Sequence, residues 1–172
     1  FRKLQPMSRS RIASQDTIHT PQGNSILLAL PNSKNQKPLT HLAASIAKAQ
    51  DSLIHIVSIA TIPETTPLTF APKKDIQKRH DLISSAKKEL EKSKVKINSS
   101  VVVGRHPAAV ICNVADLRGS DLVLMGWRGG KKKKGLFLGD TLDRVLADSS
   151  KTLAILKQGK ETEYKNVTVA VG

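Results

Sequence analysis

The sequence predicts an α/β fold, a five-stranded parallel sheet with helices on both faces. Three observations lead there: five short apolar runs, helical periodicity in the stretches between them, and glycine or proline at most junctions. Ile26 to Leu30 is a continuous apolar run between Gly23-Asn24 and Pro31-Asn32, as expected of a strand buried on both faces. Leu39, Leu42, Ala43, Ile46 and Ala47 then recur at helical spacing, with Pro38 suited to the first turn. Leu53 to Ile59 is β-branched and gives a second strand, followed by a loop marked by Pro63, Pro67 and Pro72. Ile76, Ile83 and Leu90 place one apolar stripe on a long charged helix.

The second half repeats the alternation. A third strand runs from about Val95 to Val103, Gly104 breaks it, and Pro107 opens a helix bearing Val110, Ile111, Val114 and Ala115. Leu122 to Met125 is the fourth strand, Leu142, Val145 and Leu146 share a helix face, and Thr152 to Leu156 is the fifth strand. Strands joined by helices imply right-handed crossovers, and ligands of such sheets sit outside the carboxyl ends of the strands.

Composition narrows the function classes. With 172 residues and 39% apolar content, the chain holds one core, expected over residues 25–158. Lys and Arg number 28 against 14 Asp and Glu, so anionic partners are favoured. Aromatics are 3% of the chain and no recognition motif sets them among the cations, which argues against specific nucleic-acid binding. The lone Cys112 reads as a small residue on the apolar side of its helix, and together with the absence of a signal-peptide pattern it favours a reducing compartment.

Arg2, Lys3, Arg9 and Arg11 among Pro6, Ser8 and Ser10 read as a basic linker over residues 1–24, either a juxtamembrane segment touching anionic lipid or a solvated tail. Residues 159–172 are expected to be a linker followed by a strand from Lys165. That strand either opens a second tandem domain or serves as an edge strand or dimer arm.

Gly126, Gly129 and Gly139 are the candidate site. Their spacing, with two and then nine residues between, follows the fourth strand at the carboxyl edge of the sheet. Glycines allow tight turns and bring main-chain amides near a phosphate, and the helix starting near Gly139 adds unpaired N–H groups. Lys131 to Lys134 carry positive charge in the same loop, as a phosphate contact, a lipid contact or a solvated run. Gly130-Lys131 is no P-loop, because Met125 replaces its first glycine and no Ser or Thr follows the lysine. Trp127 is expected to seal the loop against the fourth helix, the alternative being to pack over the ligand pocket. His55 and His106 lack partners at metal-ligand spacing, and Glu89 and Glu91 fall on different helix faces, so neither a metal site nor a catalytic constellation is expected.

The Gly126-x2-Gly129-x9-Gly139 spacing resembles the ATP-binding motif of the universal stress protein family. Val103-Gly104 with Pro107, and the run from Ser120 to Gly126, resemble the family's third-strand and fourth-strand segments, so the likeness spans about Ser25 to Lys157. It implies ATP or AMP held with Ala29 and Leu30 beside the base, Val103 and Gly104 flanking it, and Gly126, Gly129 and Gly139 around phosphate. It also implies frequent homodimerisation through the last strand, while the lack of a catalytic constellation gives the expectation of no enzymatic activity. Two positions depart from the pattern: Pro31-Asn32 stand where ATP-binding members carry Asp, and Asp140 stands where Ser or Thr follows the glycine. Thr141, one residue on, is the substitute hydroxyl.

Domains resembling this one occur at the cytoplasmic ends of amino-acid permeases, cation-chloride cotransporters and cation/proton antiporters. The expectation is therefore a regulatory domain on the cytoplasmic side of the cell membrane, with a transmembrane transporter domain upstream in the same chain. The alternatives are a nucleotide-free dimerisation scaffold and a stand-alone ATP-binding protein of the family.

Overall fold

Each of the five apolar runs forms a parallel strand in the computed structural model, which describes residues 10–16, 24–31, 36–127 and 138–157. In chain order these strands are β2 (Ser25–Ala29), β3 (Leu53–Thr61), β4 (Ile97–Gly104), β5 (Leu122–Trp127) and β6 (Thr152–Lys157). The helices between them are α1 (Gln36–Gln50), α2 (Lys73–Glu91), α3 (Pro107–Leu117) and α4 (Asp140–Asp148). Among the described residues no helix is long and apolar enough to cross a membrane.

The sheet has six strands and is mixed, which corrects the expected five-stranded parallel sheet. The additional strand is β1 (Ser10–Gln15), inside the stretch expected to be linker, and it pairs antiparallel with β4 in the order β1-β4-β3-β2-β5-β6. Its composition hides it, because SRIASQ has one large apolar residue and an edge strand needs little more. Long-range polar contacts fix it instead. Ser14 Oγ meets His80 Nε2 at 3.0 Å, Arg118 donates to Gln15 Oε1 at 2.8 Å, and the Asp16 carboxylate accepts from Lys87 and Ser99. Burial pushes the Asp16 carboxyl up, but the Lys87 and Ser99 hydrogen bonds and the Lys87 charge outweigh it and hold it below the usual carboxylate range. Residues 1–9 and 159–172, with the expected lipid contact and second-domain strand, lie outside the described residues.

Two apolar layers flank the sheet, as alternation along buried strands requires. Ile26, Leu28, Ile54, Ile56 and Leu124 face α1 and α2, whereas Leu27, Ala29, Val57, Val123 and Met125 face α3 and α4. Of the apolar residues expected on the inner face of α4, Leu142 and Val145 are buried, but Leu146 is 46% exposed. Helices therefore change sides between β2 and its neighbour β5, opening a crevice at their carboxyl ends.

His55 is 2% exposed on β3 and lies 2.9 Å from Ser100 Oγ. Burial, then the Arg118 charge, pushes its pKa down from 6.5 to about 4, with Asp16 opposing weakly. As pH falls from 6.5 to about 4 the unfolded chain binds a proton that the folded chain refuses, so this site withdraws stability across that window. His55→Gln removes the titration. Its melting temperature is expected to fall less between pH 7 and about 4.5 than that of the wild type, and an equal fall in thermal denaturation would contradict the assignment.

Candidate functional site

The crevice is a cavity of about 560 Å3, well inside the range of small-molecule sites. Its position follows from backbone pairing. Leu30 N donates to Val57 O at 2.9 Å and Ser58 Oγ donates to Leu30 O at 3.1 Å, which carries the chain beyond β2 along the side of β3. At the amino ends of the strands, Ser25 N donates to Asp121 Oδ2 and Asp121 N donates to Ser25 O, each at 2.9 Å, which sets β5 in register with β2.

Val57, Ile59, Ile111 and Met125 make the walls apolar, so they suit a flat, weakly polar group. Trp127 lines the cavity too, while belonging to the apolar layer that holds Leu142 and Val145 of α4. It therefore packs against that layer and walls the cavity, while the loop it is expected to seal lies outside the described residues. Lys157 Nζ stands 5.8 Å from the centroid of the Trp127 ring.

Polar groups gather at two ends. At one, Gly126 ends the apolar part of β5, and Gly139, Asp140 and Thr141 open α4. Gly139 has φ +114, and a Cβ added there would meet nothing within 4 Å, so backbone conformation rather than crowding selects glycine. The first N–H groups of α4 have no intrahelical acceptor, and they favour an anion. Two carboxylates modify that preference. Asp143 accepts from Leu138 N at 3.2 Å and Gly139 N at 3.3 Å, taking the amide of the last glycine for itself, whereas Asp140 stays exposed at the cavity.

Arg79 stands at the other end. It reaches from α2 to donate to Pro31 O at 2.6 Å, placing a cation where the family pattern has an acid. Sequence reasoning missed Arg79 because the contact joins residues far apart in the chain. Val57 and Ile59 carried a usable signal, since Ala29 pairs with Val57 and side chains two apart along a strand share a face.

Of the expected site residues, Ala29, Leu30, Gly126, Gly139 and Thr141 line this cavity. Val103 and Gly104 do not. Val103 is fully buried with Ala60, Ile62 and Ala71, and Gly104 is occupied in pairing with Ser10 and Thr61. The alternation of β4 instead turns Val102 toward the α3 and α4 side. Gly129, Asn32 and Lys131 to Lys134 lie outside the described residues. The residues present fit a nucleoside phosphate: apolar walls for a base, a helix start for one phosphate, and a cation at the far rim. No group of three or more metal-ligating side chains occurs among the described residues.

Comparison with known proteins agrees with this architecture. Residues 24–157 match the sequence profile of the universal stress protein family, and the chain belongs to that family. A universal stress protein of Methanocaldococcus jannaschii is 32% identical over 76 residues, a match spanning 44% of this chain and 46% of that relative. The solved universal stress protein of Archaeoglobus fulgidus superimposes with a TM-score of 0.65 at 20% identity, covering 78% of this chain and 93% of that one. A structure of the universal stress protein from the same organism in complex with dAMP gives 0.63 at 18% identity, covering 78% and 98%. These structural likenesses establish the fold.

Gly139→Ala places a Cβ on a residue at φ +114, at a cost of about 1–2 kcal/mol. For a chain of this size the melting temperature should drop by roughly 2–8 °C. An unchanged melting temperature in differential scanning calorimetry would contradict this backbone conformation.

Proposed function

We propose that the chain binds an adenine nucleotide of the AMP class in this cavity and acts by binding rather than by catalysis. The observation that carries the reading is the joining of an apolar slot to the open start of α4 at the strand-order reversal between β2 and β5. The base lies between the Ala29–Leu30 side and the Ile111–Met125 side, and the 5′-phosphate sits at the N–H groups of Asp140 and Thr141. The dAMP complex of the Archaeoglobus relative supports the ligand class.

Asp140 and Asp143 both lie in the first turn of α4, so each further phosphate charge meets two carboxylates. This favours a monophosphate over the triphosphate implied by the glycine spacing.

A second reading, a nucleotide-free dimerisation scaffold, draws on the same acids, because Asp143 already engages the Gly139 amide. Dimerisation belongs to both readings. Among the described residues β6 ends the sheet with no strand on its outer edge, and Leu153, Ala154 and Ile155 are only partly buried, as suits pairing with a second copy. The transporter context expected from the basic opening gains nothing from the cavity or the relatives. A stand-alone nucleotide-binding universal stress protein fits them at least as well.

Titration calorimetry is expected to show saturable binding of AMP, with ATP binding no more tightly. Asp140→Ser removes a like charge beside the phosphates, a repulsion of about 1 kcal/mol at solvent-like dielectric, and should tighten ATP binding by roughly fivefold. No heat with either nucleotide at millimolar concentration would overturn the nucleotide reading and leave the scaffold.

A further inference from the structure

Arg79 is shared by two openings. Besides the nucleotide cavity it lines a neighbouring cleft of about 450 Å3, and the two meet at Arg79 and Pro31. The cleft is walled by Gln36 at the start of α1 and by Lys78, Asp81 and Ser85 on α2. Its chemistry is unlike that of the main cavity. Lys78 and Arg79 bring two cations against the one carboxylate of Asp81, and that carboxylate already accepts from Gln77 Nε2 at 2.9 Å. Lys78 has one ion-pair partner, Asp75 at 3.4 Å, on a side chain that is 63% exposed.

Gln36 supplies the independent sign of a ligand. It is 5% exposed, its backbone oxygen accepts from Thr40 Oγ1 at 2.7 Å, and its side-chain Nε2 has no hydrogen-bond partner among the described residues. Leaving a buried amide donor unmet costs about 1–3 kcal/mol, and such groups persist where a partner arrives from outside. Gln36 is one of the residues that wall the cleft, so a partner for this N–H can arrive from that side. A buried donor beside two cations selects an acceptor that is anionic.

We infer that this cleft is a second phosphate subsite, and that the ligand is an adenine nucleotide bearing a phosphate on its ribose 2′- or 3′-oxygen. The inference rests on the nucleotide reading of the main cavity. With the 5′-phosphate at α4 and the base between apolar walls, the ribose comes to the polar rim formed by Pro31 and Arg79. A phosphate on its hydroxyl edge passes beyond that rim into the cleft. There Arg79 and Lys78 meet its charge and Gln36 Nε2 donates to it. Pro31, which offers no carboxylate to bind ribose hydroxyls, also offers none to repel this phosphate.

The test compares AMP with adenosine 2′,5′-bisphosphate and adenosine 3′,5′-bisphosphate by titration calorimetry. One of the bisphosphates is expected to bind at least tenfold more tightly than AMP. Lys78→Met and Gln36→Met lie outside the main cavity, so they should leave AMP affinity within twofold of the wild type while cutting the bisphosphate advantage to less than twofold. Lys78 is exposed, so its variant tests the subsite even if the Gln36 variant misfolds. Equal affinity for AMP and both bisphosphates, or an advantage that survives in Lys78→Met, would overturn the subsite while the nucleotide reading stands. Absence of binding by all three overturns both.

Discussion

Parallel pairing of β2 with β3 on one side and with β5 on the other is the constraint on which the molecule depends. It sends α1 and α2 to one face of the sheet and α3 and α4 to the other. The chain must then part between β2 and β5 at their carboxyl ends, since no crossover covers that point. The reciprocal bonds of Ser25 and Asp121 set the register, so Ala29 lies beside Met125 and opposite Val57. Apolar side chains line the crevice because each strand here is buried on both faces. An apolar slot at the end of the sheet is thus a product of the core itself.

Charge is added to that slot by residues at its two ends. The opening turn of α4 favours an anion through its free N–H groups, and Asp140 and Asp143 reduce that preference. Arg79, anchored on Pro31 O, restores positive charge at the opposite rim. Under the nucleotide reading, these described charges favour an anion at the nucleoside end over further charge beside α4. A ligand matched to them has little charge beyond its first phosphate and more on its ribose side.

Much of this was legible from residue order because it is local. Continuous apolar runs and 3.6-residue periodicity located the five parallel strands and four helices, and glycine spacing located Gly126 and Gly139. What escaped was non-local. β1 is held by His80, Lys87, Ser99 and Arg118, all more than sixty residues away, and its six-residue sequence has no strand signature of its own. Arg79 reaches the cavity by bonding a carbonyl across helix and loop. Val103 faces the α2 side of the sheet and Val102 the other, and neither lines the cavity, which the motif's position in the sequence does not reveal.

The account's central claim is that a nucleotide sits between the end of β2 and the start of α4. Amide chemical-shift mapping of the labelled protein with AMP tests it most directly. The account expects saturable shifts at Leu30, Gly126, Asp140 and Thr141, with Val103 and Gly104 unmoved on the far side of the sheet. Shifts confined to Val103 and Gly104, or none at any of these six amides at saturating AMP, would contradict it.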